Sequence, residues 1–135
     1  MNNQSPITAS IVPDDDRIDI LRRTFGVQHI QRAEGLVFSW MRKLCQEYNG
    51  GYWDYWKTTN GGFFMAPSAA GSVTVSSNME DVELSSQAAG IVASLFAWGQ
   101  LCNTTELDEH IELYHAVRTF AREHEEGQHI LALID

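Results

Sequence analysis

Apolar positions keep helical spacing in some stretches of the chain and strand-like spacing in others. The clearest helical run is 27–48, where Ile30, Ala33, Val37, Trp40, Met41, Leu44, Cys45 and Tyr48 recur every three or four places. That spacing gathers them on one helical face, and Asn49-Gly50-Gly51 ends the run. A shorter helix over 14–25 precedes it, capped by Asp14 or Asp15 and stopped by Gly26. Asp15 and Asp16 then sit at the favourable end of its dipole. The polar residues 1–13 read as either a loosely attached tether or a short edge element.

The character changes at Tyr52-Trp53-Asp54-Tyr55-Trp56-Lys57, an aromatic, strand-like stretch. Asn60, Gly61 and Gly62 follow as a turn, because Asn and Gly tolerate the positive φ of a tight hairpin. Phe63-Phe64-Met65-Ala66 is the returning strand, closed by Pro67. A loop of small residues at 68–72 leads to a third strand at 73–75 and a fourth near 82–84. Ser85 or Ser86 caps a helix reaching about Cys102, which is apolar on nearly every side and therefore buried. Thr105-Glu106-Leu107-Asp108 resembles a capping box for a fourth helix running to about Glu126. Leu107, Ile111, Tyr114, Val117, Phe120 and Ala121 form its inward face. Gly127 breaks it, and 128–135 is a short terminal helix or extension. Helices, then a small antiparallel sheet, then helices predict an α+β fold: a single compact domain over 1–135, with one small sheet packed against about four helices.

Composition adds the class and the compartment. The 44% hydrophobic and 20% charged residues are those of a folded soluble domain. Cys45 and Cys102 lie in apolar stretches without a CxxC partner, so they read as buried reduced thiols. The first residues lack the basic and apolar regions of a secretion signal, and the apolar stretch 88–101 falls short of a membrane span. The expected location is the cytoplasm.

Charge is more telling. The net charge is −9, and its distribution is uneven. Up to Pro67, seven acids meet seven bases; beyond it, eleven acids face only Arg118 and Arg122. Such a surface repels nucleic acid and anionic lipid and favours a basic protein partner. The excess is nevertheless thin beside DNA. A compact chain of this length has a radius of gyration near ~14 Å, hence a diameter of roughly 37 Å. Duplex DNA of that length carries about 22 phosphates. Some acids also have structural uses: Glu106, Asp108 and Glu109 suit a helix start, and Glu112 can pair with basic neighbours.

Candidate chemistry is sparse. His110 and His115 are five apart, as are His124 and His129. A zinc helix needs four, since a fifth residue turns the second ring ~140° away. No nucleophile elbow or phosphate loop is present in the sequence, and neither cysteine lies in an electropositive turn. The aromatic strand has one accompanying base, Lys57, too few for a single-strand binding groove. Alternation puts Trp53 and Tyr55 on one face and Tyr52 and Trp56 on the other, with one pair packed on the helices and the other supporting or exposing a binding patch.

These residues carry a resemblance. Gly50-Gly51-Tyr52-Trp53, then Thr58-Thr59 and Asn60-Gly61-Gly62-Phe63-Phe64-Met65-Ala66-Pro67, resemble the signature of the ArdB/KlcA antirestriction family. Ala88-Ala89-Gly90-Ile91-Val92-Ala93-Ser94-Leu95-Phe96-Ala97 is similar to its second block. Ile11-Val12-Pro13-Asp14 with Arg17 and Phe25-Gly26 resembles the family's start, and Ala132-Leu133-Ile134-Asp135 its end. His124-Glu125-Glu126 stands where the family often has His-Pro-Glu. The resemblance implies a compact α+β protein without cofactor or catalytic residues, which inhibits type I restriction-modification enzymes and so protects incoming plasmid, phage or island DNA. The mechanism expected is contact with the restriction complex that blocks cleavage without occupying its DNA site; the alternative is acidic mimicry of DNA at that site. A small metal-dependent enzyme is the third class. Candidate contact residues are Tyr52, Trp56, Glu80, Asp81 and Glu83; Asn60, Gly61 and Gly62 form the structural turn. The partner expected is the restriction complex itself, with no direct DNA binding and no membrane.

Overall fold

The most apolar helix lies at the centre of the computed structural model, which describes residues 6–69, 71–77 and 80–135. α3 (Ser86–Thr105) has every residue from 88 to 95 buried. Around it pack α2 (Ile30–Leu44), β3 (Phe63–Pro67), α4 (Asp108–Glu123) and α5 (Gly127–Ile134). Each large aliphatic side chain withdrawn from water here, such as Ile91, Leu95 or Leu101, contributes roughly 1.5–3 kcal/mol.

The first sheet runs β1 (Ala9–Ile11), β2 (Trp53–Thr58), β3, all antiparallel, with Tyr55 opposite Met65 and Ile11 opposite Trp56. α3 seals its outer edge. A Cβ on Gly90 would run into the backbone of Ala66 and the Met65 carbonyl, so only glycine lets the helix come this close. Ser94 Oγ then accepts from the Met65 N–H at 3.1 Å and donates to the Met65 carbonyl at 3.2 Å, and Trp98 Nε1 donates to the Phe63 carbonyl at 2.8 Å. Backbone groups that a further strand would pair are thus satisfied by a helix.

The single sheet expected from the sequence is therefore two. With the β3 edge taken, β4 (Ser72–Ser77) and β5 (Glu80–Ser85) pair with each other as a separate antiparallel ladder. The α+β class holds, with five α-helices among the described residues.

Several boundaries move for identifiable reasons. Val12 is buried and donates its N–H to Tyr55 at 2.7 Å, and Ile7 and Ala9 pack on the core. These residues form an edge element and not a loose tether; the part of that expectation at 1–5 lies outside the described residues, as does Ala70 of the small-residue loop. Asp14–Asp16 make a 3-10 turn, so α1 (Arg17–Phe25) starts later than expected and has no side-chain cap. α2 stops at Leu44, before Tyr48, whose hydroxyl accepts from Trp53 Nε1 at 3.1 Å. The capping box does not form. Thr105 belongs to α3, and its hydroxyl bonds His110 Nδ1 at 2.7 Å. His110 Nε2 donates to the Phe25 carbonyl at 3.2 Å, which sets the rotation of α4. His110 and Leu113 are buried as a result, whereas Ile111, expected inward, is 37% exposed. Gly127 does not merely break α4; it is the buried first residue of α5.

Candidate partner-binding surfaces

The predicted turn is fastened at both ends. Gly61 has a φ of +89°, a left-handed conformation that an L side chain adopts only at a cost. Thr58, almost fully buried, donates its hydroxyl to Asn60 Oδ1 and accepts from the Gly62 N–H at 2.7 Å. Asn60 Nδ2 reaches the Ala116 carbonyl of α4 at 2.9 Å. Between this turn, α1 and α4 lies a cleft of about 530 Å³. Asp16, Asp19, Arg23, Lys57, Glu109 and Glu112 line it, together with the apolar Ile20, Leu113 and Ala116.

Glu112 has no basic ion-pair partner among the described residues, contrary to expectation. The ion pairs among the described residues are Arg17–Asp14 and Arg118–Asp135. On α4, Glu112 follows Asp108 by four places and Glu109 by three, with His115 three places ahead.

Among the aromatics, Trp53 and Tyr55 face the core, only 6% and 8% exposed. Tyr52 is 89% exposed, yet its backbone is held by a hydrogen bond from the Ser68 N–H at 2.9 Å. Trp56 does not join it in an open patch. It is partly buried, stacks on Phe64 with 5.8 Å between centroids, and has its indole nitrogen enclosed without a partner among the described residues. Tyr52 lies just outside β2, so the pleat does not carry it onto the Trp56 face.

The three candidate acids of β5 are exposed but divided. Asp81 and Glu83 stand opposite Ser76 and Thr74 on one face of the ladder, and Glu80 opposite Ser77 on the other. Ser76 Oγ donates to Asp81 at 2.6 Å. A shallow groove of about 540 Å³ runs from these residues to His129.

Two polar clusters were invisible in the sequence because their members lie far apart in the chain. Tyr55 donates its hydroxyl to Glu34, with the Arg17 guanidinium 4.5 Å from the ring centre. Burial first, and then the Glu34 carboxylate, pushes the Tyr55 hydroxyl above its usual range. Elsewhere, Ser85 caps α3 as expected by accepting from the Ala88 N–H at 3.1 Å, and Glu126 in turn accepts from both the Ser85 N–H and its hydroxyl. His124 Nδ1 accepts from the Glu126 N–H at 2.9 Å and its Nε2 bonds Gln87, also at 2.9 Å. The His124-Glu125-Glu126 stretch therefore ties the turn before α5 to the start of α3.

Among the described residues, no group of three or more His, Cys, Asp and Glu side chains is placed to hold a metal ion, and no helix is long and apolar enough to cross a membrane. Both cysteines are free; Cys45 is buried and Cys102, expected to be so, only partly.

Comparison with known proteins gives a consistent result. Residues 46–135 match the antirestriction protein family. Over 142 aligned residues the chain is 44% identical to the antirestriction protein KlcA of Escherichia coli, covering 100% of both. It is 34% identical to YafX of Escherichia coli K12, over 96% of this chain and 88% of that one. A solved structure with 44% identity superposes with a TM-score of 0.88 over 100% of both chains. It belongs to work on KlcA and ArdB that describes a novel fold and antirestriction activity against type I DNA restriction systems in vivo but not in vitro.

Proposed function

The chain belongs to the antirestriction protein family, and on that premise we propose that it counteracts type I restriction in the cytoplasm by contacting protein, without imitating DNA and without catalysis of its own. One observation carries the choice of mechanism. A DNA mimic works through its charge and needs nothing beyond the purified enzyme, yet the related KlcA and ArdB proteins are active in vivo but not in vitro. Activity that depends on the cell fits contact with the restriction complex in a state, or in company, that a purified assay lacks.

The placement of the acids supports this reading. Asp14 and Asp135 are paired with arginines, and Glu126 is spent on Ser85. Those of β5 point to two faces. That is not a lattice of phosphate-like charge. Acids left free still attract a basic partner and raise its association rate. On this reading Tyr52 is the anchoring side chain, since tyrosine is common among residues that dominate binding energy and its backbone is already ordered. Glu80, Asp81 and Glu83 steer, and Trp56 supports the sheet beneath.

The test is a displacement titration with purified type I enzyme and labelled DNA at fixed, stated salt. The enzyme is expected to keep its DNA as this protein is added. Stoichiometric release that weakens steeply with salt would establish mimicry instead.

A further inference from the structure

We infer that the cleft between α1, the Asn60-Gly61-Gly62 turn and α4 is a second contact surface, which takes a net-basic segment of a partner protein. The cleft has an apolar lining and carries four carboxylates, Asp16, Asp19, Glu109 and Glu112, against two cations, Arg23 and Lys57. None of these six side chains forms an ion pair among the described residues. Both signs of charge therefore remain available to a ligand, with an excess of two negative charges that selects a basic one.

A purely structural account explains part of this set. Asp19 and Glu109 lie in the first turns of their helices, where the dipole rewards a carboxylate. It does not explain Glu112. That residue sits a turn further on, four places after Asp108 and three after Glu109, where like charges on a helix repel. A basic ligand in the cleft relieves that like-charge repulsion. The wall opposite α4 is also rigid, because Asn60 and Thr58 fix the turn and Asn60 bonds α4 directly. A preordered cleft loses little freedom on binding.

Two arms test this on the full chain. In the first, a short alternating Arg-Ala peptide, or the same peptide with Glu for Arg, is titrated into isotope-labelled protein. The basic peptide is expected to move the amide signals of Gly61, Leu113 and Ala116, with affinity falling about tenfold in E109Q/E112Q, while the acidic peptide moves none. The thermal midpoint of the single variant E112Q should stay level or rise, the reverse of what a structural role for that carboxylate requires. Absence of cleft shifts, or equal shifts at Asp81 and Glu83, overturns the proposal, as does a variant that unfolds at lower temperature with peptide affinity unchanged.

The second arm rests on the antirestriction reading and measures protection of unmodified phage DNA in restricting cells. The folded E109Q/E112Q variant is expected to protect about tenfold less than the parent. Undiminished protection removes the cleft from antirestriction while leaving the family role intact. If the parent itself gives no protection, the functional reading fails, and the peptide arm alone decides the cleft.

Discussion

Asn60 donates its side-chain amide to the backbone carbonyl of Ala116 at 2.9 Å, joining the β2–β3 turn to a helix 56 residues away in the chain. The turn is thus one wall of the cleft as well as a hairpin reversal. Asn60→Ala removes this bond and the one to Thr58, and is expected to cost about 1 kcal/mol. Gly61→Val adds a strained left-handed residue and should cost a further ~1–2 kcal/mol or more. Thermal unfolding measures both; unchanged midpoints would show that the turn does not hold the hairpin to α4.

Ser94 tests how the sheet edge is satisfied. Ser94→Ala leaves the buried Met65 N–H without its acceptor, a loss of roughly 1–3 kcal/mol. Denaturant unfolding should show a lower midpoint with an unchanged slope. A neutral substitution would mean that the α3–β3 contact does not depend on the Ser94 hydroxyl.

Tyr55 gives a pH signature. Its hydroxyl is held above the usual range by burial and by Glu34. Keeping it protonated stabilises the fold fully below the ordinary tyrosine value of 10.0, and that stability drains away as pH rises above it. Tyr55→Phe should therefore be about 1.5–3 kcal/mol less stable at neutral pH, the range for a hydrogen bond to a charged group. The gap between the two proteins should close in alkali. A constant gap through pH 10 to 11 would contradict the assignment.

Tyr52→Ala separates binding from folding. With the side chain 89% exposed, stability should hold within ~0.5 kcal/mol, while protection of phage DNA falls. Neutralising Glu80, Asp81 and Glu83 together should slow association with the partner more than it speeds dissociation. Full protection by both variants would remove these residues from the contact.

Much of this was legible along the chain. The all-apolar stretch in α3 announced the central helix, and the aromatic runs around Asn60-Gly61-Gly62 announced the β2–β3 hairpin. The division into two sheets was not, because it depends on Gly90 and Ser94 bringing a helix to the β3 edge, and nothing in periodicity marks a glycine for close approach. The rotation of α4 was misread for a similar reason: Ile111 was placed inward and His110 was not, because the acceptor for His110, the Phe25 carbonyl, lies 85 residues earlier. For the contact surface, alternation placed Trp53 and Tyr55 correctly. It failed for Tyr52, which lies beyond the strand, and the cleft escaped notice because its charges come from four separate elements.

The most direct measurement of the central claim is the plating efficiency of unmodified phage on cells carrying a type I restriction system, with and without this protein expressed. The account predicts a rise of at least about tenfold for unmodified phage, no change for modified phage, and no change in hosts without the system. Equal restriction in the presence and absence of the protein, with expression confirmed, would contradict it.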